Sequence, residues 1–161
     1  MDSTRTLTLA DAPVSTRPRP RRVVEFEAPS RPGAVSRMRE RVRRFAASMP
    51  FTPDQLDDIR VAVGEACTNA VKHGRSPLHP RIGIRMERYP DALRVFITDH
   101  GPGFDPATVC PPCPGDLCEC GRGILCMRGL MDEVIFHRLE PGMRVELVKH
   151  VRAGSRQPDT L

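Results

Sequence analysis

Three short stretches of this chain carry side chains and glycines whose types and spacing suit phosphate and metal chemistry. The first is Glu65-Ala66-Cys67-Thr68-Asn69-Ala70-Val71-Lys72-His73-Gly74. Glu65 and Asn69 are four apart, so on a helix they share one face a turn from each other, and His73 continues that line. A carboxylate and a carboxamide oxygen form a hard-oxygen pair suited to Mg²⁺, and the carboxylate could also take a proton from a hydroxyl nucleophile. Alone, the pair is equally what an exposed helix surface carries. The second stretch is Asp99-His100-Gly101-Pro102-Gly103-Phe104, directly after a strand. There an Asp could accept a hydrogen bond from an exocyclic amine, and glycines let backbone approach a flat ligand; an ordinary turn has the same composition. The third is Gly121-Arg122-Gly123-Ile124-Leu125, where a loop enters a helix. Exposed N–H groups at such a start attract phosphate, and Arg122 adds a permanent charge; a plain hinge is the simpler alternative. No GxxxxGK[ST] loop occurs anywhere.

A fourth cluster is Cys110, Cys113, Cys118 and Cys120, in CxxC and CxC spacing. These thiolates could ligate Zn²⁺ or an iron–sulfur cluster, form a redox-sensitive disulfide, or stay free. One CxxC beside one CxC falls short of the paired CxxC of a zinc module. Cys67 and Cys126 are expected to pack as small apolar side chains.

The elements that must position these residues follow from periodicity. Residues 21–27 alternate as a first strand. Residues 32–48 place Val35, Met38, Val42 and Phe45 on one helical face, and Pro50 ends that helix. Thr52, Pro53 and Asp54 make an N-cap, a first-turn proline and an early acid. The helix they start carries Leu56, Ile59, Val63, Ala66, Ala70 and Val71 to a stop at Gly74. Residues 81–88 and 92–98 alternate with period two around Tyr89-Pro90-Asp91, a hairpin signature. A Gly-, Pro- and Cys-rich loop, a short helix over 122–131, and strands over 132–138 and 143–149 complete the order. Antiparallel pairs with segregated helices predict an α+β two-layer sandwich, with a mixed, largely antiparallel sheet covered on one face by about three helices.

Composition limits the function classes. Apolar residues form 39% of 161, enough for one core, and Trp is absent. No apolar run approaches the ~20 residues that span a bilayer, and the first residues do not resemble a secretory signal, so a cytoplasmic protein without membrane contact is expected. Reduced thiols then follow. Residues 1–49 hold 11 Arg against 5 acids, whereas residues 50–161 hold 14 basic and 15 acidic residues. The basicity therefore belongs to an N-terminal arm (1–20, expected to be disordered) and to the first helix, with Arg37, Arg39, Arg41, Arg43 and Arg44. With aromatics at 4%, an acidic protein partner accounts for it better than direct nucleic-acid binding. Residues 21–150 read as the folded domain, with a loop over 104–120 and a tail over 151–161.

Taken in order, the three stretches resemble the motifs of the GHKL (Bergerat-fold) ATPases. Glu65–Gly74 is similar to the N box, Asp99–Gly103 to the first glycine box and Gly121–Gly123 to the second. Within that family the chain is most similar to the anti-sigma-factor serine/threonine kinases (RsbW/SpoIIAB-like), through EACTNAVKHG, DHGPGFD and Gly129-Leu130-Met131-Asp132. The resemblance implies ATP and Mg²⁺. Asn69 would bind the metal, and Glu65 would act as base or position the attacking hydroxyl. Asp99 would accept from the adenine amine, and Gly101 and Gly103 would shape its pocket. Gly121, Arg122 and Gly123 would belong to a lid over the phosphates, and Lys72 and His73 would assist from the helix. The Cys-rich lid departs from the family pattern. The implied activity is phosphorylation of a STAS-domain anti-sigma-factor antagonist together with sequestration of a sigma factor, and the resemblance allows a homodimer. A nucleotide-binding regulatory module without kinase activity is the alternative. A detached histidine kinase domain fits less well, because no phosphoacceptor helix pair is present.

Overall fold

The computed structural model describes residues 18–103 and 121–152. Among them the chain forms β1 (Arg22–Pro29), α1 (Pro32–Ala46), α2 (Pro53–His73), β2 (Arg81–Arg88), β3 (Ala92–Asp99), α3 (Arg122–Leu130), β4 (Glu133–Leu139) and β5 (Gly142–His150). These are the expected elements in the expected order.

The strands form one sheet in the order β1-β2-β3-β5-β4. The sequence predicts a mixed, largely antiparallel sheet; the pairings described are all antiparallel. The connections explain this. Two helices in succession return the chain to the end it left, so β2 lies antiparallel to β1. A single helix, α3, carries β4 parallel to β3, and the hairpin strand β5 slots between them, antiparallel to both.

Alternation along the strands sorts the two faces. Phe26, Ile84, Ile97 and Val145 lie in one cross-strand row, and Val24, Met86, Val95 and Leu147 in the next. Together with Val42, Phe45, Ile59, Val63 and Ala66 of the helices they make the core. This is the period-two stripe of the strands meeting the helical stripes read from the sequence. The opposite face carries charge. Glu146, only 1% exposed, accepts from Arg94 and lies 2.9 Å from Nε2 of His137. Glu87 accepts from Arg85 at 2.7 Å and from the Tyr89 hydroxyl at 2.7 Å. A carboxylate this buried persists because it is paired and hydrogen-bonded.

Helix α2 positions the site and is anchored through its first two turns. At its start, Thr52 Oγ1 accepts from the Gln55 N–H while Gln55 Oε1 accepts from the Thr52 N–H, a capping box. Gln55 Nε2 also donates to the His150 carbonyl at 3.1 Å. Buried Lys149 donates to Asp58 at 2.9 Å and to the Leu130 carbonyl, tying α2, the end of α3 and β5 together. Among the described residues no helix is long and apolar enough to cross a membrane.

Candidate active site

The site has two poles along α2. At the first, Glu65 and Asn69 are half-buried beside the apolar row of Val63, Ala66, Ala70 and Val71. The first turn of α3 lies against them. A Cβ added at Gly123 would sit 2.9 Å from Glu65 Oε2 and 3.5 Å from Asn69 Nδ2, so glycine is what allows this approach. Gly121 caps α3 with φ +103, a left-handed conformation that glycine adopts without strain. The helix start therefore brings backbone N–H groups and the positive dipole end beside a carboxylate and a carboxamide.

At the second pole Asp99 ends β3, 7% exposed. Its Oδ1 accepts from the Gly101 N–H at 3.0 Å, and the Met143 N–H also donates to the carboxylate. Burial pushes the Asp99 carboxyl above the usual carboxylate range, and the two backbone N–H donors, with His100 and His73, oppose that rise. Backbone encloses it closely. A Cβ at Gly74 would lie 2.4 Å from Asp99 Cβ and Cγ, and one at Gly142 would lie 2.1 Å from the Asp99 carbonyl oxygen. A Cβ at Gly101 would lie 2.5 Å from Gly74 Cα. The end of α2, the β3 loop and the β4–β5 turn thus converge on one carboxylate.

A narrow cleft joins the poles and is lined by Asn69, His73, Asp99 and Gly103, with apolar walls from Ala70, Ile97, Phe136 and Met143. Five of the sequence-predicted residues, Glu65, Asn69, Asp99, Gly103 and Gly123, line this cleft or stand at its α3 end. His73 also lines the cleft, although its residue is largely exposed. Gly101 packs behind Asp99 against Gly74 rather than along the cleft. Arg122 is exposed at the start of α3, and Lys72 is exposed beside the line of Glu65, Asn69 and His73. Cys110, Cys113, Cys118 and Cys120, with the rest of the predicted lid loop over 104–120, lie outside the described residues, as do residues 1–17 of the arm and 153–161 of the tail. Among the described residues no group of three or more His, Cys, Asp or Glu side chains could hold a metal.

Sequence reasoning missed the part played by Gly74, Gly142 and the Met143 N–H. Gly74 reads as a helix stop and Gly142 as a turn residue, and both signals are local; only the fold brings them to Asp99. Cys67 is buried as expected, and burial pushes its thiol up to about 12. Cys126 is half-buried near Glu65, and its thiol is raised by burial and then by the Glu65 charge, so it stays protonated at neutral pH.

The donor set fits an adenine nucleotide with a divalent cation. Asp99 is an anchored acceptor at the end of an apolar slot, and Gly74, Gly101 and Gly142 let backbone close tightly around it. Asn69 carries a hard oxygen beside the N-terminal N–H groups of α3, a pairing that could hold a cation and a phosphate.

Residues 28–149 match the family described as Histidine kinase-like ATPase domain. The serine-protein kinase RsbW of Bacillus subtilis is 32% identical over 146 residues, covering 85% of this chain and 91% of that protein. The RsbW of Bacillus pumilus is 29% identical over 150 residues, covering 86% and 91%. Among solved structures, the RsbU and RsbW domains of Rv1364c from Mycobacterium tuberculosis superpose with a TM-score of 0.61 at 17% identity. That match covers 82% of this chain and 33% of the larger one. The SiaB-SiaC complex from Pseudomonas aeruginosa gives a TM-score of 0.56 at 12% identity, covering 78% and 88%. The chain therefore belongs to the histidine kinase-like ATPase domain family and, within it, to the serine-protein kinases of the RsbW type.

Proposed function

We propose that this protein is a cytoplasmic ATP-dependent serine/threonine kinase and anti-sigma factor. It phosphorylates a STAS-domain antagonist and sequesters a sigma factor when that antagonist is unavailable. The observation that carries the reading is the joint placement of Glu65, Asn69 and Gly123 at one end of a cleft whose other end is Asp99. Asp99 holds the purine by accepting from its amine. Asn69 would hold the divalent cation, which would supply neutralisation of phosphate charge. Arg122 and the N–H groups of α3 would hold the terminal phosphate, and Glu65 would orient the acceptor hydroxyl and take its proton. Lys72 lies beside this line and contributes charge, and His73 continues the line toward Asp99.

The partner assignments draw on the relatives: proteins named serine-protein kinase RsbW, and a neighbour solved as a SiaB-SiaC complex. The test is incubation of the purified chain with labelled ATP, Mg²⁺ and a STAS-domain protein. Acid-stable phosphate on a Ser or Thr of the partner is expected, together with capture of a sigma factor by unoccupied protein. ATP binding with no transfer to any STAS protein would leave only a nucleotide-responsive binding module.

A further inference from the structure

We infer that Lys149 is a positioning residue for phosphoryl transfer: by fixing the far end of α3, it sets where the first turn of that helix rests on Glu65. This role rests on the kinase activity proposed above. On β5, Val145, Leu147 and Lys149 share the helix-covered face, because side chains alternate along a strand. Val145 and Leu147 belong to the core, and Lys149 beside them is 4% exposed. An ammonium on that face is costly without partners. Its Nζ donates to Asp58 Oδ2 at 2.9 Å, in the second turn of α2, and to the carbonyl of Leu130, the last residue of α3. The final carbonyls of a helix have no partner within it and carry the negative end of its dipole, so a lysine there answers both.

The two ends of α3 are held differently. Beyond Leu130 the chain is fastened again: the Asp132 N–H donates to the Val148 carbonyl at 2.9 Å, and Asp132 Oδ2 accepts from the His150 N–H at 2.7 Å. At the start, Gly121 offers no side chain to cap the helix, and Gly123 rests against the flexible end of Glu65. Helix α3 is therefore a lever with its pivot at Lys149 and its other arm at the site. Gly123 lies about 10 Å along the axis from Leu130, so a tilt of roughly ten degrees at the pivot moves it by about 2 Å. Misplacement on that scale is enough to lose a reactive geometry. Lys149 does not line the cleft itself, so its removal should act through α3.

The test uses the full chain and Lys149→Met, which keeps the volume and removes the ammonium. Single-turnover transfer from ATP to a STAS-domain protein should slow at least ~tenfold, with ATP affinity unchanged within about threefold. In a Glu65→Ala background the same substitution should slow transfer less than about twofold, because the group that α3 positions is gone. A second readout needs no activity. Cys126 lies on α3, half-buried near Glu65, whereas Cys67 is buried in α2. Alkylation at mildly alkaline pH, followed at each site by peptide mass spectrometry, should become at least ~tenfold faster at Cys126 and stay unchanged at Cys67.

If Lys149→Met does not fold, Asp58→Ala replaces it and should move both readouts the same way by about threefold, since one of the two acceptors is lost. Asp57→Ala, one residue earlier and paired with Arg60, should move neither. No loss of transfer, or equal losses with and without Glu65, would overturn the assignment. So would an alkylation rate that stays the same at Cys126 or rises equally at Cys67, and so would equal effects of Asp57→Ala and Asp58→Ala. Should the natural protein transfer no phosphate, the kinase reading falls, and alkylation alone decides whether Lys149 seats α3.

Discussion

The two poles of the cleft are built differently. Asp99 is buried and enclosed by backbone from three separate turns, and its neighbours are glycines that admit no Cβ. Glu65 and Asn69 are half-exposed, and their close neighbour from α3 is a glycine set against the flexible end of a side chain. The Asp99 pole is thus preorganised by the sheet, whereas the Glu65–Asn69 pole depends on how two helices meet. Binding and transfer should therefore fail separately.

The largest effect expected is on transfer. Glu65→Ala should lower the phosphorylation rate by about 10²–10³-fold while leaving ATP affinity within about threefold, measured by single-turnover labelling and titration calorimetry. Parallel loss of both would mean that the poles are not separable. Next is Gly74→Ala. Its Cβ would meet Asp99 Cβ and Cγ at 2.4 Å and the Ala70 carbonyl at 2.5 Å, so backbone must shift. A loss of about 2–4 kcal/mol in urea unfolding is expected, along with loss of nucleotide.

Asp99→Asn should weaken ATP by about 100-fold, since an anchored acceptor is replaced by a group that can present a donor. The same substitution should not lower stability at neutral pH. The folded-state pKa of Asp99 is raised, so the stability linked to this group is present at low pH and lost as pH rises through that value. An uncharged Asn escapes that loss. Nucleotide affinity of the natural protein should run the other way, falling as pH drops through the raised pKa, because protonation removes the charge and turns one carboxylate oxygen from an acceptor into a donor. Affinity that is flat between neutral pH and the unfolding limit would remove Asp99 from purine recognition.

The smallest effect sharpens the contrast. Gly123→Ala places its Cβ 2.9 Å from Glu65 Oε2, which can swing away. Stability should change by less than about 1 kcal/mol, helped by the helix preference for Ala, while the transfer rate falls about tenfold through misplacement of Glu65. A destabilisation as large as that of Gly74→Ala would show the Glu65–Asn69 pole to be as rigid as the other.

Much of this arrangement is legible in the sequence. The spacing of Ile59, Val63, Ala66 and Ala70 specifies a helix with Glu65 and Asn69 on its flank, and Thr52-Pro53-Asp54 specifies where it begins. Alternation over 81–88 and 92–98 specifies the hairpin that carries Asp99 to a strand end. The burial of Glu146 is not legible there. Glu146 sits on the outer face of an alternating strand, where a charged residue is normally solvated, yet it is buried beneath Arg94 and His137. Nor is the sheet order, in which the last strand inserts between the third and fourth.

By itself the sequence determined the elements, their apolar faces and the motif residues, because periodicity, caps and turns act over a few neighbouring positions. Only the tertiary structure decided that Gly74, Gly101 and Gly142 meet at Asp99 and that Gly123 reaches Glu65. Those contacts join residues far apart in the chain, and they depend on strand order and helix packing that no local pattern encodes.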